Sequence, residues 1–210
     1  MTNKILRTHL TRLRACQEAV DWLGERDLAT CWTECPRGDW LLWLGWSTRV
    51  DRKLLVKAAC RCAALALPIF EARYPDDKRP RESIEITLRW TSGSATIKEV
   101  RAAAYAAAAA ANAAYAANAA NAAYAAANAA NAANAATVAA DAAAAAAYAA
   151  ANAADAAAAA AYASEFRVKN AADAVDAVAA RAKMRCRTAD VVRQIITVEM
   201  IETALMESGK

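Results

Sequence analysis

Residues 102–164 read AAAYAAAAAANAAYAANAANAAYAAANAANAANAATVAADAAAAAAYAAANAADAAAAAAYAS, 63 positions with 46 alanines and no glycine, proline, lysine, arginine or glutamate. Alanine has the highest intrinsic helix propensity, because it loses no side-chain entropy on ordering and has no polar group to compete for backbone hydrogen bonds. The tract is therefore predicted to be helical almost throughout. A single helix of that length would extend about 95 Å, whereas a compact globule of 210 residues has a radius of gyration of about 17 Å. The tract is expected to fold back on itself as a helical hairpin, near residues 134–140, where the β-branched pair Thr137-Val138 is its weakest helical spot. One uninterrupted helix is the alternative. Alanine helices are thin and pack at the close end of the usual separation, so the fold class is all-α, a multi-helix bundle with long, closely packed alanine-rich helices.

The residues that punctuate the tract have their own spacing. Asn134, Asp141, Tyr148, Asp155 and Tyr162 recur every seven residues, with Asn152 four after Tyr148, and so share one helix side. Asn121, Tyr124, Asn128 and Asn131 also share a face, whereas Asn112, Tyr115 and Asn118 recur every three and wander around the helix. The plain reading is a solvated stripe with alanine turned toward the bundle. Expansion of a repeated Asn-Ala-Ala unit gives the same pattern without any function. Against both stands the absence of Lys, Glu and Arg, which normally clothe a helix in water. Converging stripes of amides and phenols would line a cavity able to hydrogen-bond a base or sugar. Tyr124, Asn128, Asn131, Tyr148, Asn152 and Tyr162 are the candidate ligand residues on that reading.

Outside the tract the chain reads as helix after helix, broken at glycine and proline. Residues 13–25 form the first clear amphipathic stretch, ended near Gly24, and residues 28–35 a second, stopped by Pro36. Asp39 is placed to cap residues 40–46 and Asp51 to cap the helix after it. That helix turns Leu54, Leu55, Ala58, Ala59, Cys62 and Leu65 toward a core, while Arg49, Lys53, Lys57 and Arg61 form a basic stripe, and Pro68 is expected to end or kink it. After a polar loop at 74–80 come a helix at 82–90, a turn at 91–94 and a capping-box pattern, Thr96 with Glu99, opening the alanine tract. Helices at 168–183 and 189–207 close the chain. The segments 1–95, 96–165 and 166–210 are expected to make one integrated domain.

The net charge of +4 is uneven: residues 1–101 hold 18 basic and 13 acidic side chains, residues 102–164 only Asp141 and Asp155, and residues 165–210 hold 8 and 7. A positive first half suits an acidic partner or a phosphate-bearing ligand. Nucleic acid is disfavoured, because bases and acids alternate there and no groove-reading motif is present. A membrane span is excluded on the same grounds of pattern. Asn and Asp interrupt the alanine tract every few residues, and the other apolar runs are too short. The first twenty residues lack the apolar core of a secretory signal, so a cytoplasmic location is the default expectation. The six cysteines fit a reducing compartment and read as buried free thiols. An all-thiolate metal site from Cys31, Cys35, Cys60 and Cys62 is disfavoured by spacing, and no cofactor is called for.

Trp40, Trp43 and Trp46 lie beside Arg37 and Arg49. Aromatic faces there can stack on a base or anchor a protein partner, although tryptophans at helical spacing commonly serve as core. Arg37, Trp40, Trp43 and Arg49 complete the set of candidate contact residues. An enzyme is not expected: one histidine, no clustered carboxylates in the tract and no phosphate-cradling glycine loop leave few acids, bases or nucleophiles.

The string CPRGDWLLWL at 35–44 is followed by VDRKLL at 50–55, ACRCA at 59–63, LALP at 65–68, IEIT at 84–87 and TIKEVR at 96–101 before the polyalanine. Over residues 28–165 the chain thereby resembles an immunity-protein domain family of bacteria and phages. The resemblance implies an all-α, non-catalytic protein that neutralises a toxin or a defence effector; the Asn and Tyr load departs from a plain alanine helix. The alternative is a sponge that sequesters a small anionic nucleotide, cyclic or ADP-ribose-type, without turnover. A structural or ice-binding helix is disfavoured because regularly spaced threonine is missing. Partners expected are thus a protein toxin or effector, or a small nucleotide, and a homodimer through the polar seams is compatible with the pattern.

Overall fold

The computed structural model describes residues 1–113, 117–134, 149, 152–153, 155–156 and 171–207. The described residues form an all-α bundle: α1 (Asn3–Arg12), α2 (Gln17–Leu23), α3 (Leu28–Glu34), α4 (Gly38–Ser47), α5 (Arg52–Arg73), α6 (Arg79–Thr91), α7 (Ile97–Ala113), α8 (Ala117–Asn134), α9 (Ala171–Arg193) and α10 (Val198–Glu207). None of these helices is long and apolar enough to cross a membrane.

The centre of the bundle is α8, which packs against α5, α6 and α7. Ala123, Ala125, Ala126, Ala127, Ala129, Ala130 and Ala132 are each no more than 2% exposed, so the helix is enclosed over most of its circumference. Only side chains this small let three neighbours approach one helix so closely. The contact with α6 shows it: Ser83, fully buried, donates from Oγ to the Ala126 carbonyl at 3.5 Å, and Thr87 beside it donates to the Ser83 carbonyl at 2.6 Å. Two buried hydroxyls are thus satisfied by helix carbonyls rather than left as unpaired polar groups.

Because α7 and α8 lie against each other, the tract does fold back as a hairpin. One reversal comes between the end of α7 at Ala113 and the start of α8 at Ala117. No glycine or proline signals that point, and residues 135–140 lie outside the described residues. The entry into α7 follows the sequence: Glu99 Oε2 accepts from the Thr96 backbone N–H at 2.7 Å, and Thr96 Oγ1 accepts from the Glu99 N–H at 3.3 Å. This is the reciprocal capping box.

Several boundaries differ from expectation. The region read as one stretch over 13–25 is instead α2, preceded by a separate α1 whose Leu6 and Leu10 are buried. Asp39 does not cap α4, which begins at Gly38, one residue earlier. The glycine itself has a steric reason: a Cβ at Gly38 would lie 2.5 Å from Thr188 Oγ1 and 2.7 Å from the Thr188 carbonyl carbon, so the α4–α9 crossing is closed to any side chain there. Asp51 does cap α5, accepting from Lys53 and Leu54 N–H at 2.8 and 3.1 Å. Pro68 does not end α5. The helix runs on to Arg73, its last turns held by Phe70, which is buried and lies 5.2 Å from the Tyr74 ring. The break between the closing helices falls at 194–197, not at 183–189. There Val192, Ile196, Ile201 and Leu205 carry the core across the turn.

Candidate functional site

Among the candidate contact residues, Arg37, Trp40 and Trp43 come together at the edge of the first four helices. α1 packs on α2, and Leu6, Leu10, Leu23, Leu28, Trp32 and Leu41 bury one another beneath the surface. These residues form the floor of a half-open cavity of about 60 Å³, whose remaining wall includes Ala19, Trp22, Cys31, Trp40, Trp43 and Leu44. No lining residue carries a charge. Trp22, Trp40 and Trp43 are all half-buried, so each presents part of its ring at the mouth. A space of this size exceeds the roughly 10–15 Å³ that one water needs, and water finds few polar partners there.

The mouth is stiffened by two guanidiniums stacked on two indoles. Arg37 Cζ lies 4.5 Å from the Trp40 ring centroid and Arg26 Cζ 4.7 Å from that of Trp22, while the two indoles meet edge-on at 6.3 Å. Arg37 is also forked onto Asp39, with Nε to Oδ1 at 2.9 Å and Nη2 to Oδ2 at 2.6 Å, and reaches Glu18 at 3.2 Å. The hydrogen bonds to Asp39 hold the guanidinium pKa above its ordinary value. Arg26 donates to Glu34 at 3.0 Å and to the Trp22 carbonyl at 2.7 Å. Neither arginine retains the bare charge that a phosphate grip requires. Their role is to fix aromatic faces in place. The thiols in the cavity wall are suppressed as nucleophiles: burial pushes Cys31 up to about 11 and raises Cys35 as well.

Arg49 lies away from this cluster. It is exposed, has a positive φ of 65°, and closes α4 through a bond from its N–H to the Trp46 carbonyl at 2.9 Å, with Val50 N–H bonding the Gly45 carbonyl at 3.0 Å. This is a Schellman ending with arginine where glycine is usual; Arg14 closes α1 in the same way. Beside Arg49 an open groove between α5 and α10 is floored by Leu54, Met200 and Ala204 and edged by Asp51, Glu199 and Glu207.

Among the described residues, the alanine-tract candidates do not join the tryptophan cluster, and none of them lines its cavity. Asn121, Tyr124 and Asn128 are half-buried and Asn131 exposed, on the one side of α8 that buried alanine leaves uncovered. Tyr124 donates its hydroxyl to Asn112 Oδ1 across the α7–α8 hairpin. Asn152 is half-buried beside fully buried Ala149, Ala153 and Ala156. Tyr148 and Tyr162 lie outside the described residues. Sequence reasoning missed Trp22, Ala19 and Arg26. The available signal was the isolated pair Trp22 and Arg26, four apart, ahead of the main tryptophan run.

In comparison with known protein families, residues 45–191 match the one described as Imm-5 like putative immunity protein. The match includes the basic helix and the alanine tract and begins just after the string at 35–44. No curated protein and no solved structure matches the chain.

Proposed function

The chain belongs to the Imm-5 like putative immunity proteins, and from that premise we propose that it neutralises a protein toxin or effector by stoichiometric binding, without chemical turnover. The observation that carries this reading is the half-open apolar cavity under Trp22, Trp40 and Trp43. Tryptophan and arginine dominate the energetics of protein interfaces, most of all around pockets that admit one anchor side chain and exclude water. Here the Trp22 and Trp40 rings are already held by Arg26 and Arg37, so little of their side-chain entropy is lost on docking. An aliphatic or aromatic side chain of the effector fills the cavity in this account.

The nucleotide-sponge alternative has less support. Arg37, its intended phosphate contact, is engaged by Asp39 and Glu18, and among the described residues the cavity wall has no charged group. The test is to fill the cavity. Ala19→Leu and Cys31→Leu each add bulk at a residue that lines the cavity and belongs to neither arginine pair. With the fold confirmed by circular dichroism, both should weaken effector binding by at least about 2 kcal/mol, near thirtyfold in Kd. Unchanged binding in both would remove the cavity from the account.

A further inference from the structure

We propose that Lys53, Lys57 and Arg61, on the outer face of α5, recognise a carboxylate-rich polypeptide surface of the effector; this rests on the reading of the protein as an effector binder. The three side chains stand one helical turn apart along about 12 Å of helix, and all three are exposed. Among the described residues none of them is in an ion pair. Arg37, Arg79, Arg81 and Arg193, by contrast, are each tied to a carboxylate.

The neighbouring helices do not neutralise the row: α6, packed against α5, carries Glu82 and Glu85 but also Arg79, Arg81 and Arg89, and is net positive. α8, packed against α5, contains no charged residue. α9, packed against it on another side, carries Arg181, Lys183, Arg185 and Arg187 with no carboxylate between them, and of these Arg181 is held by Asp155. On α5 itself, Asp51 is committed to capping and Glu71 to Arg81. Like charges one turn apart repel one another, and a polyanionic surface laid over them relieves that repulsion. The half-buried Leu54 and Leu65 flank the row. Cations bordered by aliphatic side chains suit a protein rim, whereas a phosphate backbone is gripped by cations and stacked aromatics.

The probe is poly-L-glutamate, with an oligothymidylate of equal charge alongside it. The variant Lys53→Gln/Lys57→Gln/Arg61→Gln is set against Lys4→Gln/Arg73→Gln/Lys98→Gln, which removes the same net charge from scattered exposed positions. The expected result is polyglutamate binding that weakens between roughly 50 and 200 mM salt and falls about tenfold in the α5 variant alone. Equal losses in both variants, no binding, or tighter binding of oligothymidylate would overturn the proposal. The cavity-filling variants should bind polyglutamate normally, so failure of the effector reading and failure of the α5 assignment are read separately.

Discussion

Arg193 Nε donates to the Trp32 carbonyl at 2.7 Å, joining the end of α9 to the end of α3 across 161 residues of chain. The same guanidinium donates from Nη2 to the Cys35 carbonyl and from Nη1 to Asp190 at 2.8 Å. Both backbone acceptors are orphan carbonyls at the C-terminus of α3, where a cation is also favoured by the helix dipole. The wall of the tryptophan cavity is thereby fastened to the end of α9.

Arg193→Lys keeps the charge but loses the planar fork. It should cost about 1.5–3 kcal/mol, measured by urea denaturation, and should loosen the cavity enough to raise the exposure of Trp32 in fluorescence quenching. A variant as stable as the parent would show that the fork is incidental.

Ala126→Leu, at the enclosed centre of α8, inserts three carbons where the Ser83 hydroxyl already touches the backbone. Overpacking there should destabilise by about 1–3 kcal/mol or more. Ala109→Leu, on the exposed side of α7, serves as the control and should shift stability by no more than about 0.5 kcal/mol. Equal effects would mean that α8 is not the tightly enclosed helix described.

Arg49→Gly relieves the left-handed backbone at the end of α4. It should stabilise by about 0.5–1 kcal/mol in thermal melts, because glycine has no Cβ to clash at that φ. A fall in melting temperature would indicate that the arginine side chain stabilises the groove beside α10 by more than its backbone costs.

Thiol titration should separate the cysteines by burial. Cys16 and Cys186 are exposed, whereas Cys35, Cys60 and Cys62 are buried. Desolvation raises the pKa of Cys35 and Cys62, pushes Cys60 up to about 12 and pushes half-buried Cys31 up to about 11. At pH 8 the native protein should therefore react rapidly at Cys16 and Cys186 and slowly at the other four, with all six equalised by denaturant. Since thiolate is the reacting form, rapid labelling of Cys60 or Cys62 would contradict the described core.

The helical class was legible because alanine acts locally, through propensity, and the capping box at Thr96 and Glu99 and the cap at Asp51 are equally local signals. A fold-back was legible from length alone, but the one between α7 and α8 was not, and the one expected near residues 134–140 lies outside the described residues. Propensity and breakers are silent when residues on both sides are alanine, and packing against α5 and α6 decides where the chain turns. Gly38 shows the same limit: its sequence neighbours suggest a loop before a cap, and only Thr188, 150 residues away, explains why no side chain fits there. Among the site candidates, Trp40 and Trp43 were legible as an aromatic cluster, whereas the reach of Arg37 to Glu18 depends on how α2 is placed beside the start of α4. The face of α8 that carries Asn and Tyr followed the plain periodic reading, with alanine inward.

The most direct test of the account is quantitative co-purification of the full chain, parent against Ala19→Leu and Cys31→Leu, with intact-mass analysis of everything retained. The account predicts one protein partner bound near one-to-one by the parent, lost on filling the cavity, and regained as inhibition when that purified partner is assayed with the parent protein. A stoichiometric nucleotide in place of a protein, or a partner retained equally by all three chains, would contradict it.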